Sequence, residues 1–146
     1  VDLDEPAGSF AAAVAVVSLH HVDPLDESCL RLGELVEPGG KLVVDEFDAG
    51  AFDTTAATWW LEQRRVLGEP QPKTAEELVH EHREHLHSLE RVLEALEPCF
   101  EIGPPVRGPW LHYWKLGDSF RAVEEDAIAR GDIPATGARL VGRRRG

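Results

Sequence analysis

Several residue types and patterns are scarce or missing in this chain of 146 residues. It has no methionine, one tyrosine and two cysteines. Cys29 and Cys99 stand in apolar stretches, so we expect small core residues in a reducing cytoplasm and no disulfide framework. No apolar run approaches the length of a membrane span, and no basic start followed by an apolar segment is present. We therefore expect a cytoplasmic protein with no membrane partner.

Positive charge is also scarce. Lys and Arg number 15 against 27 Asp and Glu, which gives a formal net charge of -12. A phosphate backbone would be repelled by such a chain, so we expect no nucleic-acid partner. The hydrophobic content of 42% and the length fit one globular domain. Because the sequence begins with Val1, we expect either a fragment or a start residue recorded as valine.

The clearest pattern is a pair of apolar strands joined by one helix. Val-rich runs at Ala11 to Leu19 and Lys41 to Phe47 are typical of parallel strands that are covered on both faces. Between them, Asp23 and Pro24 predict a helix start, and Pro38-Gly39-Gly40 predicts its end. The carboxyl ends of parallel strands share one sheet edge, where ligands bind. Polar residues cluster at that edge: His20, His21, Asp45, Glu46 and Asp48.

The rest of the chain alternates helices and short strands. Asp53 and the capping box that begins at Thr74 predict two helix starts, and at Ser88 the second of these helices either restarts or continues. We expect the helix after Thr74 to reach His87. Strands are expected at 99–103, 110–116 and 137–143, with a further helix that Asp118 caps and Gly131 ends.

Four segments resemble a known family. They are GSF at Gly8 to Phe10, SLHHV at Ser18 to Val22, PGGKLVV at Pro38 to Val44, and the tail from Ile133 to Arg143. Together they resemble the class I S-adenosylmethionine-dependent methyltransferases of the small-molecule type. The resemblance implies an α/β fold with a Rossmann-like, mostly parallel sheet and helices on both faces. Residues 1–146 would form strands four to seven of one methyltransferase domain, with a helical lid-like segment at about 53–88.

One departure from the family is informative. Family members hold the cofactor with an N-terminal Gly-x-Gly-x-Gly loop, and this chain has no Gly-x-Gly. The resemblance therefore implies that the fold is incomplete at its N-terminal half. S-adenosyl-L-methionine would need that missing half for tight binding. The exposed sheet edge of the chain favours self-association. The alternative is a catalytically inactive remnant that acts as a partner-binding or structural module and pairs this edge with a partner.

The resemblance also implies roles for individual residues. Cofactor-binding positions are Asp2 or Asp4 near the adenine, with Ser18, Leu19 and His20 at the end of strand four. Methyl transfer needs proximity, and a base only if the acceptor carries a proton. His20 or His21 is the candidate catalytic base. Candidate residues for binding a small-molecule substrate are Glu46, Trp59, Trp60 and His87.

Each candidate also has a structural interpretation. The two histidines could cap a strand, the acidic residues could form a solvated loop, and the tryptophans could serve only packing. The stretch from His80 to His87 lacks the His-Glu-x-x-His pattern, because residue 84 is Glu. We therefore expect a solvated helix face and no metal there, although His85 or His87 could belong to a substrate lid.

Overall fold

The computed structural model describes residues 4–146, which form one five-stranded sheet flanked by helices. The elements are β1 (Phe10–Val16), α1 (Leu25–Leu35), β2 (Val36–Phe47), α2 (Thr54–Val66), α3 (Ala75–His85), α4 (Leu89–Leu96), β3 (Phe100–Ile102), β4 (Val106–Gly108), α5 (Arg121–Arg130) and β5 (Gly137–Arg144). Short 3-10 turns occur at Leu19–His21, Leu111–Tyr113 and Asp118–Phe120. None of the described helices is long and apolar enough to cross a membrane.

The sheet has the order β1-β2-β5-β3, and β4 also pairs with β5. β1 and β2 are parallel, whereas β2, β3 and β4 are all antiparallel to β5. Four strands therefore share one direction, and β5 runs against them between β2 on one side and β3 and β4 on the other. The prediction of a mostly parallel sheet is correct for the direction of the strands, since four of the five share it. It is wrong for the strand pairings, because only the pairing of β1 with β2 is parallel.

Helices α1 and α4 cover one face of the sheet. Leu42 and Val44 on β2 and Leu140 on β5 point into this core, where they join residues such as Cys29 of α1 and Val92 of α4. This packing follows from the alternation of side chains along a strand and from the apolar stripes of the two helices. A second core lies beyond the strand ends and is built from α2, α3 and α5 around Phe47 and Phe52.

The opposite face of the sheet is open over β1 and β5. Val14, Val16 and Val141 are 67%, 58% and 56% exposed. The expectation of helices on both faces of the sheet is therefore wrong for these strands in residues 4–146. The outer edge of β1 pairs with no other strand in the part of the chain that the structure describes.

Several predicted boundaries need correction. The segment 110–116 is not a strand but contains the 3-10 turn Leu111–Tyr113, and the strand β4 was not predicted. β1 ends at Val16, and β2 begins at Val36, before the Pro-Gly-Gly segment. Pro24, not Asp23, is the N-cap residue of α1, and it has no side-chain cap. The predicted helix starts at Asp53 and Thr74 are confirmed, although α3 ends at His85. Of the two possibilities at Ser88, the structure shows a restart, because Ser88 caps α4.

Candidate functional site

A buried carboxylate fixes the turn that follows β1. Glu46, at the end of β2, is fully buried. Its Oε1 accepts hydrogen bonds from the backbone N–H groups of Ser18 at 2.8 Å and Leu19 at 2.6 Å, and its Oε2 contacts Nδ1 of His20. Hydrogen bonds to a charged acceptor are among the stronger ones in proteins. Glu46 therefore holds the 3-10 turn in place and does not line a cavity.

The same turn separates the two predicted histidines. His20 is buried against Glu46, whereas His21 points to a neighbouring cavity and lines it. The two rings lie 4.2 Å apart between centroids. The pKa of His21 lies below its ordinary value because of partial burial and repulsion by His20. His21 is therefore the histidine of the pair that can meet a ligand, and its imidazole is neutral at neutral pH.

The cavity beside His21 has a volume of about 420 Å³ and lies between α2, α3 and the segment after β4. Its aromatic wall is a stacked pair, Trp60 and Trp114, with centroids 3.9 Å apart and ring planes 14° apart. Trp60 Nε1 donates to the Trp114 carbonyl at 2.8 Å, which locks the pair. A cavity of this size, lined mostly by apolar groups with a few polar ones, suits a small molecule.

His82, on α3, also lines this cavity. Its ring lies 4.8 Å from that of Trp114, and its Nδ1 is 2.7 Å from the Leu78 carbonyl oxygen. Because a carbonyl oxygen can only accept, Nδ1 carries the proton, and the neutral ring then has an acceptor at Nε2. Burial lowers the pKa of His82, although the Leu78 contact opposes this shift. His82 is thus a second neutral imidazole at the cavity.

The cavity brings together some residues that the sequence analysis named as candidates and others that it did not. His21 and Trp60 were candidates and line the cavity. The charged and aromatic cavity residues that were not selected from the sequence are Arg64, Lys73, Glu81, His82, Trp114 and Lys115. The spacing of Trp60 and Arg64, and that of His82 and His85, is about one helical turn in each case and could have indicated a shared surface.

Most of the remaining candidates lie outside the cavity. Trp59 packs against the second core. His87 donates from Nε2 to the Val22 carbonyl at 3.0 Å, and its backbone N–H bonds to His20. Asp4 is exposed ahead of β1, and Asp2 lies outside the described residues. His85, the other lid candidate, does line the cavity.

Two further expectations concern Asp48, which the sequence places at the ligand-binding edge of the sheet, and metal binding by the histidine-rich helix α3. Asp48 accepts from the backbone of Gly50 and Leu89 and pairs with Arg107, so it serves the loop after β2. Among residues 4–146, no group of three or more His, Cys, Asp or Glu side chains is placed to hold a metal ion.

No family model and no curated protein matches this chain. Solved structures do resemble it. An S-adenosylmethionine-dependent methyltransferase from Mesorhizobium loti superposes with a TM-score of 0.55 at 14% identity, covering 98% of this chain and 66% of its own. An S-adenosylmethionine-dependent methyltransferase from Listeria monocytogenes superposes with a TM-score of 0.59 at 8% sequence identity. This match covers 99% of this chain and 66% of the Listeria chain.

A third similar structure is the Haloferax volcanii methyltransferase in complex with its Trm112 activator, with a TM-score of 0.54 at 10% identity. Coverage there is 99% of this chain and 58% of the other. The chain thus spans less than two thirds of the length of each of these structures. Across its described residues, the chain has the fold of the class I S-adenosylmethionine-dependent methyltransferases, as its sequence motifs predict.

Proposed function

We propose that this chain takes part in methyl transfer from S-adenosylmethionine to a small-molecule acceptor held in the 420 Å³ cavity. The observation that carries the proposal is the position of this cavity. It adjoins the turn after β1, at the carboxyl edge of the two parallel strands, in a chain with the methyltransferase fold. Ligands of open α/β sheets bind outside this edge.

His21 is the proposed base. Its neutral imidazole lines the cavity, so it can accept the proton that a hydroxyl group loses as its oxygen is methylated, or the proton that an ammonium group must lose before its nitrogen can attack the methyl group. Glu46 and His20 act as positioning residues, because together they hold the turn that presents His21. The stacked tryptophans orient a planar acceptor and keep water from one side of it.

The cofactor would supply the electrophilic methyl group. In this chain, Ser18, Leu19 and Asp4 are the proposed contacts. The N–H groups of Ser18 and Leu19 are already bonded to Glu46, and the sequence has no Gly-x-Gly loop. These residues therefore fit only part of the cofactor, and we expect weak binding unless further glycine-rich and acidic groups complete the site.

Calorimetric titration of the chain with S-adenosylhomocysteine, followed by a radiolabelled methyl-transfer assay over a panel of small acceptors, tests the proposal. We expect saturable binding in the millimolar range. We expect His21→Ala to lower turnover about 100-fold, as loss of a general base does. His80→Ala, an exposed change on α3 outside the cavity, is the control. Absence of binding at millimolar cofactor, or equal turnover in the two variants, would overturn the proposal.

A further inference from the structure

The charges around the cavity differ from those of the chain as a whole. The chain carries a formal net charge of -12. Of the described residues that line the cavity, Arg64, Lys73 and Lys115 are cationic, and Glu81 is the acidic one. Glu81 is paired with Lys73, which leaves Arg64 and Lys115 without a carboxylate inside the cavity lining. An acidic protein thus presents a locally positive pocket, and such a pocket attracts anions.

Arg64 is held in place as a directional donor. Its side chain is 11% exposed, and one of its terminal nitrogens contacts Glu69 at 3.2 Å. The guanidinium carbon lies 4.8 Å from the ring centroid of Trp60. Its Nε is buried and has no hydrogen-bond partner in the part of the chain that the structure describes. Arg64 lines the cavity, so the accessible part of this fixed guanidinium can donate to an anion held there.

The aromatic wall argues against a cationic acceptor. A quaternary ammonium is recognised by open aromatic faces. Here Trp60 is only 2% exposed, has Trp114 stacked 3.9 Å away, and already has the Arg64 cation near its ring. Trp114 is partly exposed and offers a flat surface, but Arg64 and Lys115 line the same cavity and repel a cation there.

We propose that the cavity selects an acceptor with a carboxylate or similar anion attached to a planar, conjugated group. The anion lies near Arg64 and Lys115, and the planar part packs along Trp114. That the ligand is a methyl acceptor rests on the proposed function. Binding of its anionic group does not require the cofactor.

Three probes of the same ring and different charge test the inference: 4-hydroxybenzoate, the neutral 4-hydroxybenzamide and the cationic 4-hydroxybenzylamine. Binding to the full chain without cofactor is followed by quenching of tryptophan fluorescence, since Trp60 and Trp114 line the cavity. We expect the benzoate to bind at least about tenfold more tightly than either other probe.

Variants assign the effect to the cavity. Arg64→Gln should abolish the preference for the anion, and Lys115→Gln, an exposed change that leaves the core intact, should reduce it severalfold. Arg65→Gln, the exposed neighbour on the same helix outside the cavity, should leave it unchanged. Equal or tighter binding of the amide or amine, no saturable binding of the benzoate, or an equal effect of Arg65→Gln would overturn the inference.

The calorimetric titration separates the two proposals. If the benzoate binds with the expected preference and S-adenosylhomocysteine does not bind, the anion site stands and methyl transfer fails. If methyl transfer occurs but neutral acceptors are preferred, the charge preference alone is overturned.

Discussion

Two buried glutamates perform the same structural task at different places in the chain. Glu46 accepts from the backbone of the turn Leu19–His21 and contacts Nδ1 of His20. Glu124, on α5, accepts from three successive backbone N–H groups that begin at Trp110, and it contacts Nδ1 of His112 at 2.7 Å. Because each carboxylate satisfies several donors of one short turn, a single residue fixes the direction of the chain there.

Replacing Glu46 tests how strongly this arrangement holds the fold. Glu46→Gln keeps the shape but removes the charge: its amide oxygen can still accept from Ser18 and Leu19, and its NH2 group then faces Nδ1 of His20. We expect the free energy of unfolding to fall by about 2–4 kcal/mol, because buried donors lose a charged partner. Urea denaturation measures the change. Glu37→Gln, exposed on the same strand, should change stability by less than about 0.5 kcal/mol, and an equally small effect at Glu46 would contradict the prediction.

The depressed pKa of His82 predicts a pH dependence of stability. Burial keeps the folded-state pKa below the ordinary value of 6.5, so below that pH the unfolded chain binds more protons than the folded one. The contribution of His82 to the free energy of unfolding is therefore fully present above about pH 6.5, and it is lost as the pH drops toward the folded-state pKa of His82. Urea midpoints at about pH 7.5 and about pH 5.5 should differ less in His82→Gln than in the original chain. His80→Gln is the control, and an unchanged difference in His82→Gln would refute this role of His82.

At the scale of elements, α1 and the segment before β3 meet through a position that has no room for a side chain. A Cβ on Gly33 would lie 2.5 Å from the Cβ of Cys99 and would also overlap its Sγ. The close approach buries Cys99 and lets Arg144 donate to the Gly33 carbonyl at 2.6 Å.

Gly33→Ala should therefore destabilise the protein by about 1–3 kcal/mol, the usual cost of overpacking. Cys99→Gly removes both overlapping atoms, so we expect the double variant to be less destabilised than the sum of the two single changes. A double-mutant cycle by urea denaturation measures this coupling. Gly108→Ala, where a Cβ meets nothing within 4 Å, is the control. Simple additivity would show that the two residues are not in steric conflict.

Local signals in the sequence predict most elements, and contacts between distant residues account for the failures. The caps at Asp53 and Thr74 depend on residues three positions away, and both predicted helix starts are correct. The segment 110–116 alternates like a strand, but Glu124 takes the backbone N–H groups of Trp110 to His112, which a strand would need. No local pattern contains that information.

The same distinction applies to the candidate site. His21 could be selected from the sequence because it follows the apolar run that contains most of β1, and the carboxyl ends of parallel strands meet at one edge. His82 could not, because the polar composition of α3 is typical of a solvated helix. Its half-buried position depends on the packing of α3 against α2 and the segment around Trp114. The cationic residues of the cavity are separated by up to 51 positions, from Arg64 to Lys115, so only the fold brings them together.

At the scale of the whole molecule, the site and the open side of the sheet are distinct surfaces. The cavity lies beyond the strand ends, next to the second core. The open face carries Val14, Val16 and Val141 together with the exposed ion pair of Arg139 and Asp45. An exposed apolar sheet face beside an unpaired edge strand is a common cause of association between chains.

We therefore expect the 146-residue chain to associate as its concentration rises, through β1 and the apolar face beside it. Sedimentation velocity over a range of concentrations measures this association. The double variant Val14→Lys, Val16→Lys places two charges on the most exposed apolar positions of β1, so it should shift the chain toward monomer without changing its far-ultraviolet circular dichroism. Val66→Lys, at a position 76% exposed at the end of α2, adds a charge away from the sheet and should leave association unchanged. A monomer at every concentration would show that this face does not drive association. Equal effects of the two sets of substitutions would show the same, because a general gain in solubility from added lysine acts in both.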